Sequence, residues 1–289
     1  MKNIINYYYN IIVNDFKKRD SSFIFYVNEY EYEFIQFYGN VDELNRIYSI
    51  LRLYNKICDE IVLNKDKNIL TYYENIPYIL LKKINCREEK IQINNIIDYD
   101  SLINIKDELK WKKLWSEKLD YYEMLLTQIE QKFPVLKESF YYYSGLNELS
   151  MNLLNYVDYN NIKFHIAHKR IDKNCDLYNP LNIIIDTKVR DIAEYIKKSF
   201  FNEELNENEI IQIIINNIIE KDEIILLIAR LIYPSYYFDA YDDIYNEKSS
   251  ERELNKIIKK NAIYEAFLKK IYNKIKHIYN LPQIEFLEY

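Results

Sequence analysis

Glycine is almost missing from this chain. Only 2 of its 289 residues are glycine, Gly39 and Gly145. Phosphate-binding loops of the P-loop and dinucleotide types need several closely spaced glycines, because their backbone N–H groups must approach the phosphate without a Cβ in between. The sequence therefore excludes a nucleotide site built on either loop. Gly145 stands just before a predicted helix, where we expect it to relieve crowding or to supply a positive φ.

An excess of positive charge is missing as well. Lys and Arg number 39 against 45 Asp and Glu, which gives a net charge of −6 and a pI near 5.4. The lysines are mixed with acidic residues along predicted helices, a pattern that is typical of solvated faces. This balance argues against a nucleic-acid partner, which would require a concentrated basic surface.

Long apolar runs are also absent. A membrane-spanning helix needs about 18 apolar residues in succession, and the most apolar segment, 210–219, is interrupted by Gln212, Asn216 and Asn217. The first residues show no basic region followed by an apolar block, so they do not resemble a signal peptide. We therefore expect a globular protein without a membrane span.

Cysteine is scarce, whereas tyrosine is abundant. The three cysteines, Cys58, Cys86 and Cys175, are odd in number, far apart and not in metal-ligand spacing. This pattern predicts reduced thiols in a cytoplasmic setting and no zinc site. The 31 tyrosines accompany many Ile, Asn and Lys residues, as the codon bias of an AT-rich genome would produce. The tyrosine clusters therefore need no functional explanation.

The first 84 residues have the pattern of a small sheet with one helix. Residues 23–38 alternate in polarity and are rich in aromatic and β-branched types, which predicts two strands that turn near Asn28-Glu29. Apolar residues at helical spacing follow over 41–57. Two more strands are predicted at 68–74 and 78–84. The domain organisation we expect is a sheet-plus-helix lobe over 1–84 and a second lobe over 85–289.

The second lobe is predicted to be mainly helical. An apolar stripe over 107–133 indicates a core-facing helix that ends at Pro134. Strand signals return only at 163–168 and 181–186, on either side of a polar loop, so the fold class is α+β. Over 233–245, aromatic residues surround Asp239, Asp242 and Asp243. We favour an irregular loop packed by tyrosines there, with a cation or amine pocket as the alternative.

Several segments carry a family resemblance. The order of the two lobes resembles the protein-kinase-like aminoglycoside and choline phosphotransferase fold. Segments spread over 109–289 are similar to the spore-coat-associated kinase-like proteins of endospore-forming Firmicutes, the YutH/CotS group: LKWKKLWSEKLDYYE, FYYYSGLNELSMNLL, IIIDTKVRDIAEYIK, ARLIYPSYYFD and YEAFLKKIY with LPQIEFLEY. The resemblance implies a bilobal kinase-like fold, with a vestigial catalytic hairpin over 163–191, and a role in sporulation.

The resemblance also implies where phosphoryl-transfer residues belong. Active relatives carry His-Gly-Asp in the hairpin loop, with an Asn five residues after the Asp. Aligning His168 with that His puts Lys169 at the Gly and Arg170 at the catalytic Asp. An arginine stays protonated and offers no acceptor, so it cannot serve as the general base. The position of the Mg²⁺-binding Asn falls on Cys175, although Asn174 and Asn182 are near in sequence.

Other implied positions are only partly retained. Asp186 keeps the metal-binding carboxylate at the strand end, but Gln36 or Phe37 stands where a phosphate-binding Lys is expected. We predict that Arg170 or Lys169 pairs with Asp186 and closes the site without metal, the alternative being an ordinary exposed cation in the loop.

The following helix and the histidines have supporting roles in this interpretation. Asp191 is predicted to begin the helix and to accept backbone N–H bonds from the 168–170 loop. Arg190 and Glu194 are spaced for an i,i+4 pair. His168 is interpreted as a structural histidine, and neither His165 nor His277 has a partner that the sequence identifies.

These observations lead to one main functional hypothesis and one alternative. The main hypothesis is a pseudokinase with a structural or interaction role in spore coat assembly, needing no cofactor. Its partners would be other coat proteins, and it would be made in the mother-cell cytoplasm and deposited at the spore coat. The alternative is an active small-molecule phosphotransferase that uses ATP and Mg²⁺ in an atypical site around Asp186.

Overall fold

The structure is a computed structural model that describes residues 1–86, 89–105, 107–129, 132–204, 206–218 and 220–288. The chain forms two compact units, the first from residues 1–100 and 167–185 and the second from residues 101–166 and 186–289. This division falls at Asp100, beyond the boundary predicted at residue 84. It also places most of the predicted hairpin loop with the first unit.

The first unit is built on a six-stranded antiparallel sheet with the order β1–β2–β3–β6–β4, in which β5 also pairs with β6. Three helices belong to it as well. The bounds of these elements are α1 Lys2–Tyr9, β1 Lys17–Arg19, β2 Ser22–Val27, β3 Tyr30–Gln36, α2 Val41–Leu53, β4 Glu60–Val62, β5 Thr71–Tyr73, β6 Ile76–Lys82 and α3 Ile93–Tyr99.

The predicted hairpin at residues 23–38 is confirmed. β2 and β3 pair from Ser22↔Ile35 to Val27↔Tyr30, which leaves a loop of two residues. Both loop residues, Asn28 and Glu29, have positive φ, 49° and 69°, as a type I′ turn requires. Asn tolerates this conformation better than most residues, so the turn forms without glycine.

Each face of the sheet has its own apolar layer, because side chains alternate along a strand. On one face, α1 packs its buried Ile5 against a cluster that includes Phe34 and Leu80. On the other face, Leu44 of α2 joins Ile79 and Leu81. Asn40 caps α2 by accepting hydrogen bonds from the backbone N–H groups of its first turn.

The second unit is mainly helical. Its elements are β7 Leu102–Ile103, α4 Trp111–Gln128, α5 Pro134–Leu153, α6 Val189–Phe201, α7 Glu207–Asn217, α8 Lys221–Ile232, α9 Ser235–Tyr245, α10 Glu251–Tyr279 and α11 Glu285–Glu288. The strands β8 Phe164–His168 and β9 Ile183–Asp186 complete a small sheet of order β7–β8–β9, and the division between the units runs through both. The centre of the second unit is α8, which packs on α5 and α6 and whose residues 224–232 are each at most 6% exposed.

Three predictions for this unit are wrong. The helix predicted over 107–133 spans only Trp111–Gln128. Pro134 begins α5 instead of ending α4, because proline fits the first turn of a helix. Residues 130–131 lie outside the described residues. Gly145 lies within α5 with no positive φ and no atom within 4 Å of where a Cβ would stand. Residues 235–245 form helix α9, not an irregular loop, since their buried aromatic residues recur at helical spacing.

In the part of the chain that the structure describes, no helix combines the length and the apolar character that crossing a membrane requires.

Candidate functional site

Asn182 organises the polar loop between β8 and β9. Its backbone C=O accepts a hydrogen bond from Lys169 N at 2.8 Å, and its Oδ1 accepts one from Arg170 N at 3.1 Å. Its Nδ2 donates to the carbonyl oxygens of Arg170, at 2.5 Å, and Asp176, at 3.0 Å. One amide side chain thus satisfies three backbone groups of the loop and fixes its path.

His168 is a buried residue at the start of this loop, 3% exposed. Its Nε2 lies 3.2 Å from Leu177 O, within hydrogen-bond distance, and its ring stands 5.5 Å from the ring of Tyr99. Lys169 directs its Nζ to Leu181 O at 3.0 Å. The residues aligned with His-Gly therefore hold the loop together through contacts within the first unit.

Cys175 is bound to Cys86 in a disulfide with a Cα–Cα distance of 5.7 Å. The prediction of reduced thiols is wrong for these two residues, and only Cys58 is a free thiol. A separation of 89 residues in sequence hides this pairing, because only the fold brings the segment after β6 beside the loop. The sulfur aligned with a Mg²⁺-binding Asn is thus engaged in a covalent bond.

A small cavity lies in the first unit beside Gly39. Its volume is about 50 Å³, whereas pockets for cofactors and drug-sized ligands span roughly 300–1,000 Å³. A Cβ at Gly39 would stand 2.7 Å from Cζ of Phe37, so the glycine serves the close packing of that ring and not a phosphate. The lining residues are Phe37, Gly39, Asn40, Glu43, Leu44, Ile47, Lys169, Pro180, Leu181 and Ile183.

Gln36, which the alignment places at the phosphate-binding Lys position, is the last residue of β3. Its Cα pairs with that of Tyr78 on β6, and its N–H donates to Ser21 O at 3.1 Å. An amide side chain carries no charge to neutralise a phosphate, so this position offers hydrogen bonding only.

Asp186 is the last residue of β9, and its carboxylate is buried, at 7% exposure. Its Oδ2 accepts hydrogen bonds from the indole Nε1 of Trp111 at 2.9 Å and from Nη1 of Arg190 at 3.1 Å. Its Oδ1 accepts one from Thr187 N at 2.7 Å. Arg190 thus places a guanidinium on Asp186, and the pairing of Asp186 with Lys169 or Arg170 stays a prediction.

This environment compensates the charge of Asp186 with protein groups. Mg²⁺ requires a near-octahedral set of oxygen ligands. Here the carboxylate oxygens instead accept hydrogen bonds from one guanidinium and two N–H groups. Among the described residues, no group of three or more His, Cys, Asp or Glu side chains is arranged to hold a metal ion. A cation bound at Oδ2 would have to displace Trp111 or lie beside the positive charge of Arg190.

A second set of charges lies next to Arg190 in the helical unit and joins a half-buried carboxylate to two buried cations. Glu194 of α6 contacts Nζ of Lys197 and Nε of Arg230, each at 2.8 Å. Burial would raise the pKa of Glu194, but the two cations hold it below its ordinary value. Burial lowers the pKa of Lys197 to about 8, against the attraction of Glu194. The guanidinium of Arg230 lies 5.1 Å from the ring centre of Trp111.

Two further sets of carboxylates belong to the second unit. Asp191 lies in the first turn of α6 and is buried, at 5% exposure; its bonds to the 168–170 loop stay a prediction. On α9, Asp242 accepts a hydrogen bond from the hydroxyl of Tyr122 at 2.7 Å. Burial, and then this bond, raise the pKa of Tyr122. Asp242 therefore serves as the hydrogen-bond acceptor for the hydroxyl of the buried Tyr122.

The fold defines the class of the protein. It is similar to an aminoglycoside phosphotransferase from Alicyclobacillus acidocaldarius, with a TM-score of 0.65 and 11% identity over 96% of each chain. It is also similar to a spectinomycin phosphotransferase solved with ADP and spectinomycin, with a TM-score of 0.53 and 15% identity over 95% of this chain and 93% of that chain. The predicted α+β, kinase-like phosphotransferase fold is confirmed.

The sequence defines the family within that class. Residues 2–271 match the family described as "Spore coat putative kinase YutH", and the chain belongs to this family. A curated relative, the endospore coat-associated protein YutH of Bacillus subtilis (strain 168), is 24% identical over 185 residues. That match spans 55% of this chain and 55% of the relative, about half the length of each. The family resemblance found in the sequence is confirmed.

Sequence reasoning missed Trp111 and Arg190, whose side chains contact Asp186. A signal existed for each: Trp111 is one of only two tryptophans in the chain, and Arg190 follows Asp186 at the i,i+4 spacing of neighbours on a helix. Neither spacing nor composition indicated that both would meet the same carboxylate.

Proposed function

We propose that the chain is a catalytically inactive member of its family with a structural or interaction role in spore coat assembly. The observation that carries this proposal is the burial and hydrogen bonding of the Asp186 carboxylate. The carboxylate that would bind Mg²⁺ is buried and bonded to Trp111 and Arg190.

The loop residues support the proposal through their chemistry. Arg170 stands where a proton acceptor is needed, and a guanidinium does not accept a proton. Phosphoryl transfer depends on positioning and on neutralising charge with Mg²⁺ and a Lys. Here the Lys position holds Gln36, and the Asn position is Cys175 in a disulfide. The base, the phosphate-binding Lys and the Mg²⁺-binding Asn are thus each replaced by a residue of different chemistry, and only the carboxylate of Asp186 is kept.

The family supports the biological setting. Its members are associated with the spore coat, as the description of the family and the name of the relative state. By this proposal, the protein is made in the mother cell, is deposited at the coat and contacts other coat proteins. Its kinase-like fold then acts as a scaffold that presents surfaces to those partners.

Nucleotide binding tests the inactive assignment. We expect millimolar ATP with Mg²⁺ to leave the thermal midpoint of the full chain unchanged within about 1 °C, because a ligand that does not bind the native state does not stabilise it. A rise of about 5 °C or more that requires Mg²⁺ would contradict the proposal in favour of an atypical phosphotransferase. The control is Asp186→Asn, which should abolish such a rise if Asp186 holds the metal.

Localisation tests the coat role. A fluorescent fusion expressed in sporulating cells is expected to form a ring around the forespore, and an Asp186→Asn fusion should do the same, since the proposed role needs no metal. A signal that stays diffuse in the mother cell would rule out the coat assignment. Circular dichroism of the purified variant shows whether it has folded.

A further inference from the structure

The disulfide between Cys86 and Cys175 joins two neighbouring segments of the first unit. Cys86 follows the end of β6, and Cys175 lies in a 3-10 turn at Asn174–Tyr178 within the polar loop. Both cysteines are partly exposed. This partial exposure distinguishes the pair from a disulfide sealed in a core.

Backbone hydrogen bonds already hold these two segments side by side. Lys90 and Lys173 form an isolated antiparallel bridge, and Asn174 N donates to Glu89 O at 2.9 Å. Within the segment of Cys175, Oδ2 of Asp176 accepts hydrogen bonds from Asp172 N at 2.8 Å and Lys173 N at 2.7 Å, which fixes its turn. These bonds need no sulfur chemistry, so they can bring the two thiols together before any covalent bond forms.

We propose that Cys86 and Cys175 form a reversible oxidation site, a dithiol in reducing surroundings that closes on contact with a small-molecule disulfide such as oxidised glutathione. Closure ties residues 172–178, next to the loop that carries Arg170, to the segment that follows β6. This inference is independent of the proposed coat role, because it concerns a covalent change in the chain itself.

The chemistry balances as two successive thiol–disulfide exchanges. The thiolate of one cysteine attacks a sulfur of the glutathione disulfide, forms a mixed disulfide and releases one glutathione thiolate. The thiolate of the second cysteine then attacks the protein sulfur of that mixed disulfide and releases the second glutathione thiolate. Two cysteine thiols are oxidised, one glutathione disulfide is reduced to two thiols, and the two protons lost by the cysteines leave with these products.

The third cysteine is a poor competitor for this reaction. Burial raises the pKa of Cys58 to about 11, and Asp59 and Glu60 add to the rise. Since the thiolate is the attacking species, Cys58 reacts slowly. It is therefore the matched control for the proposed pair.

The test equilibrates the purified full chain with glutathione buffers from fully reduced to fully oxidised. After denaturation and alkylation, intact mass is expected to change from three alkylated cysteines to one. In the native oxidised chain, hydrogen exchange over 170–182 is expected to slow at least several-fold, and the thermal midpoint to rise by about 5 to 10 °C, because the bond restricts the unfolded chain.

Variants assign these changes to the pair. Cys58→Ser should show the same rise and the same slowing, whereas Cys175→Ser should show neither. The reduced wild-type chain gives the same comparison without mutation, so a variant that does not fold leaves the test intact. Two results would overturn the proposal: three alkylated cysteines at every glutathione ratio, or a bond between Cys86 and Cys175 that changes neither hydrogen exchange over 170–182 nor the thermal midpoint.

Discussion

The two units bury charged groups in different ways. In the first unit, Asp59 is 2% exposed, and among the described residues its one close cation is Lys83, with Nζ at 2.6 Å from Oδ2. In the second unit, Glu194 is shared by Lys197 and Arg230. A carboxylate with one partner becomes an isolated buried charge when that partner is removed, whereas one with two partners keeps a counter-ion. The two units should therefore respond differently to the same substitution.

The interiors also differ in their tyrosines. Seven tyrosines of the second unit, each at most 4% exposed, have a raised pKa because burial disfavours the phenolate: Tyr122, Tyr143, Tyr233, Tyr237, Tyr241, Tyr264 and Tyr272. In the first unit, burial raises the pKa of Tyr9 to about 12 and also raises that of Tyr99. The second unit should thus be the more sensitive to alkali.

The largest predicted effect is alkaline unfolding of the second unit. Unfolded tyrosine loses its proton near pH 10 while the buried groups keep theirs, so the native state binds more protons and stability falls as pH rises. Each buried tyrosine costs about 1.4 kcal/mol per pH unit above 10. Even five of them cost roughly 7 kcal/mol at pH 11, of which the deprotonation of Lys197 returns at most about 3 kcal/mol.

Tyrosinate absorbance at 295 nm and circular dichroism, recorded together against pH, measure this effect. We expect most tyrosines to titrate in one cooperative step that coincides with loss of helix. A gradual titration near pH 10 with the helices intact would show that the second unit does not hold these hydroxyls in its core.

The next largest effect is expected for Lys83→Met in the first unit. The substitution leaves Asp59 buried without its cation, which costs about 3–5 kcal/mol of unfolding free energy. Burial already raises the pKa of Asp59, so its native form takes up a proton more readily than its unfolded form. The difference in unfolding free energy between wild type and variant should therefore decrease as pH falls from 7 towards 5, because protonation removes the unpaired charge.

Urea denaturation at the two pH values measures this loss. The second substitution Asp59→Asn, made in the Lys83→Met chain, should recover at least about 1 kcal/mol, because it removes the unpaired charge. An equal loss at both pH values with no recovery would mean that Lys83 contributes through packing alone.

Lys197→Met is the matched change in the second unit and should have a smaller effect, below about 1.5 kcal/mol. Glu194 keeps Arg230 as its counter-ion, and the ammonium that is removed is costly to bury, as its lowered pKa of about 8 indicates. In wild type this lowered pKa makes stability rise between about pH 8 and 10, because the unfolded state then binds more protons.

The variant should lack that rise, which urea denaturation at pH 7 and pH 9.5 measures. A loss as large as that of Lys83→Met would show that the two ionic groups do not differ in the way their partners suggest.

The smallest effects are expected at the glycines, of which each unit has one. Gly145→Ala should stabilise the chain by about 0.5–1 kcal/mol, since alanine favours a helix and the space for its Cβ is open. Gly39→Ala should destabilise it by about 1 kcal/mol or more, because its Cβ would meet the ring of Phe37. Thermal melts measure both effects. If both substitutions raised the thermal midpoint, or both lowered it, the predicted difference between the two glycines would be contradicted.

Much of the local structure could be predicted from the sequence. Alternation over 23–38 predicted the β2–β3 hairpin and its turn, and helical spacing predicted α2 and α6, because these signals depend on neighbours in sequence. Secondary-structure prediction failed where the same sequence pattern is compatible with two different structures. Pro134 could end one helix or begin the next, and the aromatic segment 235–245 could line a loop or pack as a helix.

The candidate site was predicted less completely. Its positions were found through the family resemblance, and the presence of Arg170 instead of an acid was visible in the residues themselves. The contacts of Asp186 with Trp111 and Arg190, and the bond of Cys175 to Cys86, were not predicted. These contacts join Asp186 to Trp111, 75 residues away in sequence, and Cys175 to Cys86, 89 residues away. No local pattern encodes which distant side chains will meet.

The sequence by itself determined which chemical groups are present and where most helices and strands form. It has too few glycines for a phosphate loop, a guanidinium at the position of a base, and periodicities that set most of the secondary structure. Only the tertiary structure decided how those groups are used. It brought Arg190 and Trp111 to Asp186 and joined Cys86 to Cys175, because burial and close packing select partners by position in space and not by position in the chain.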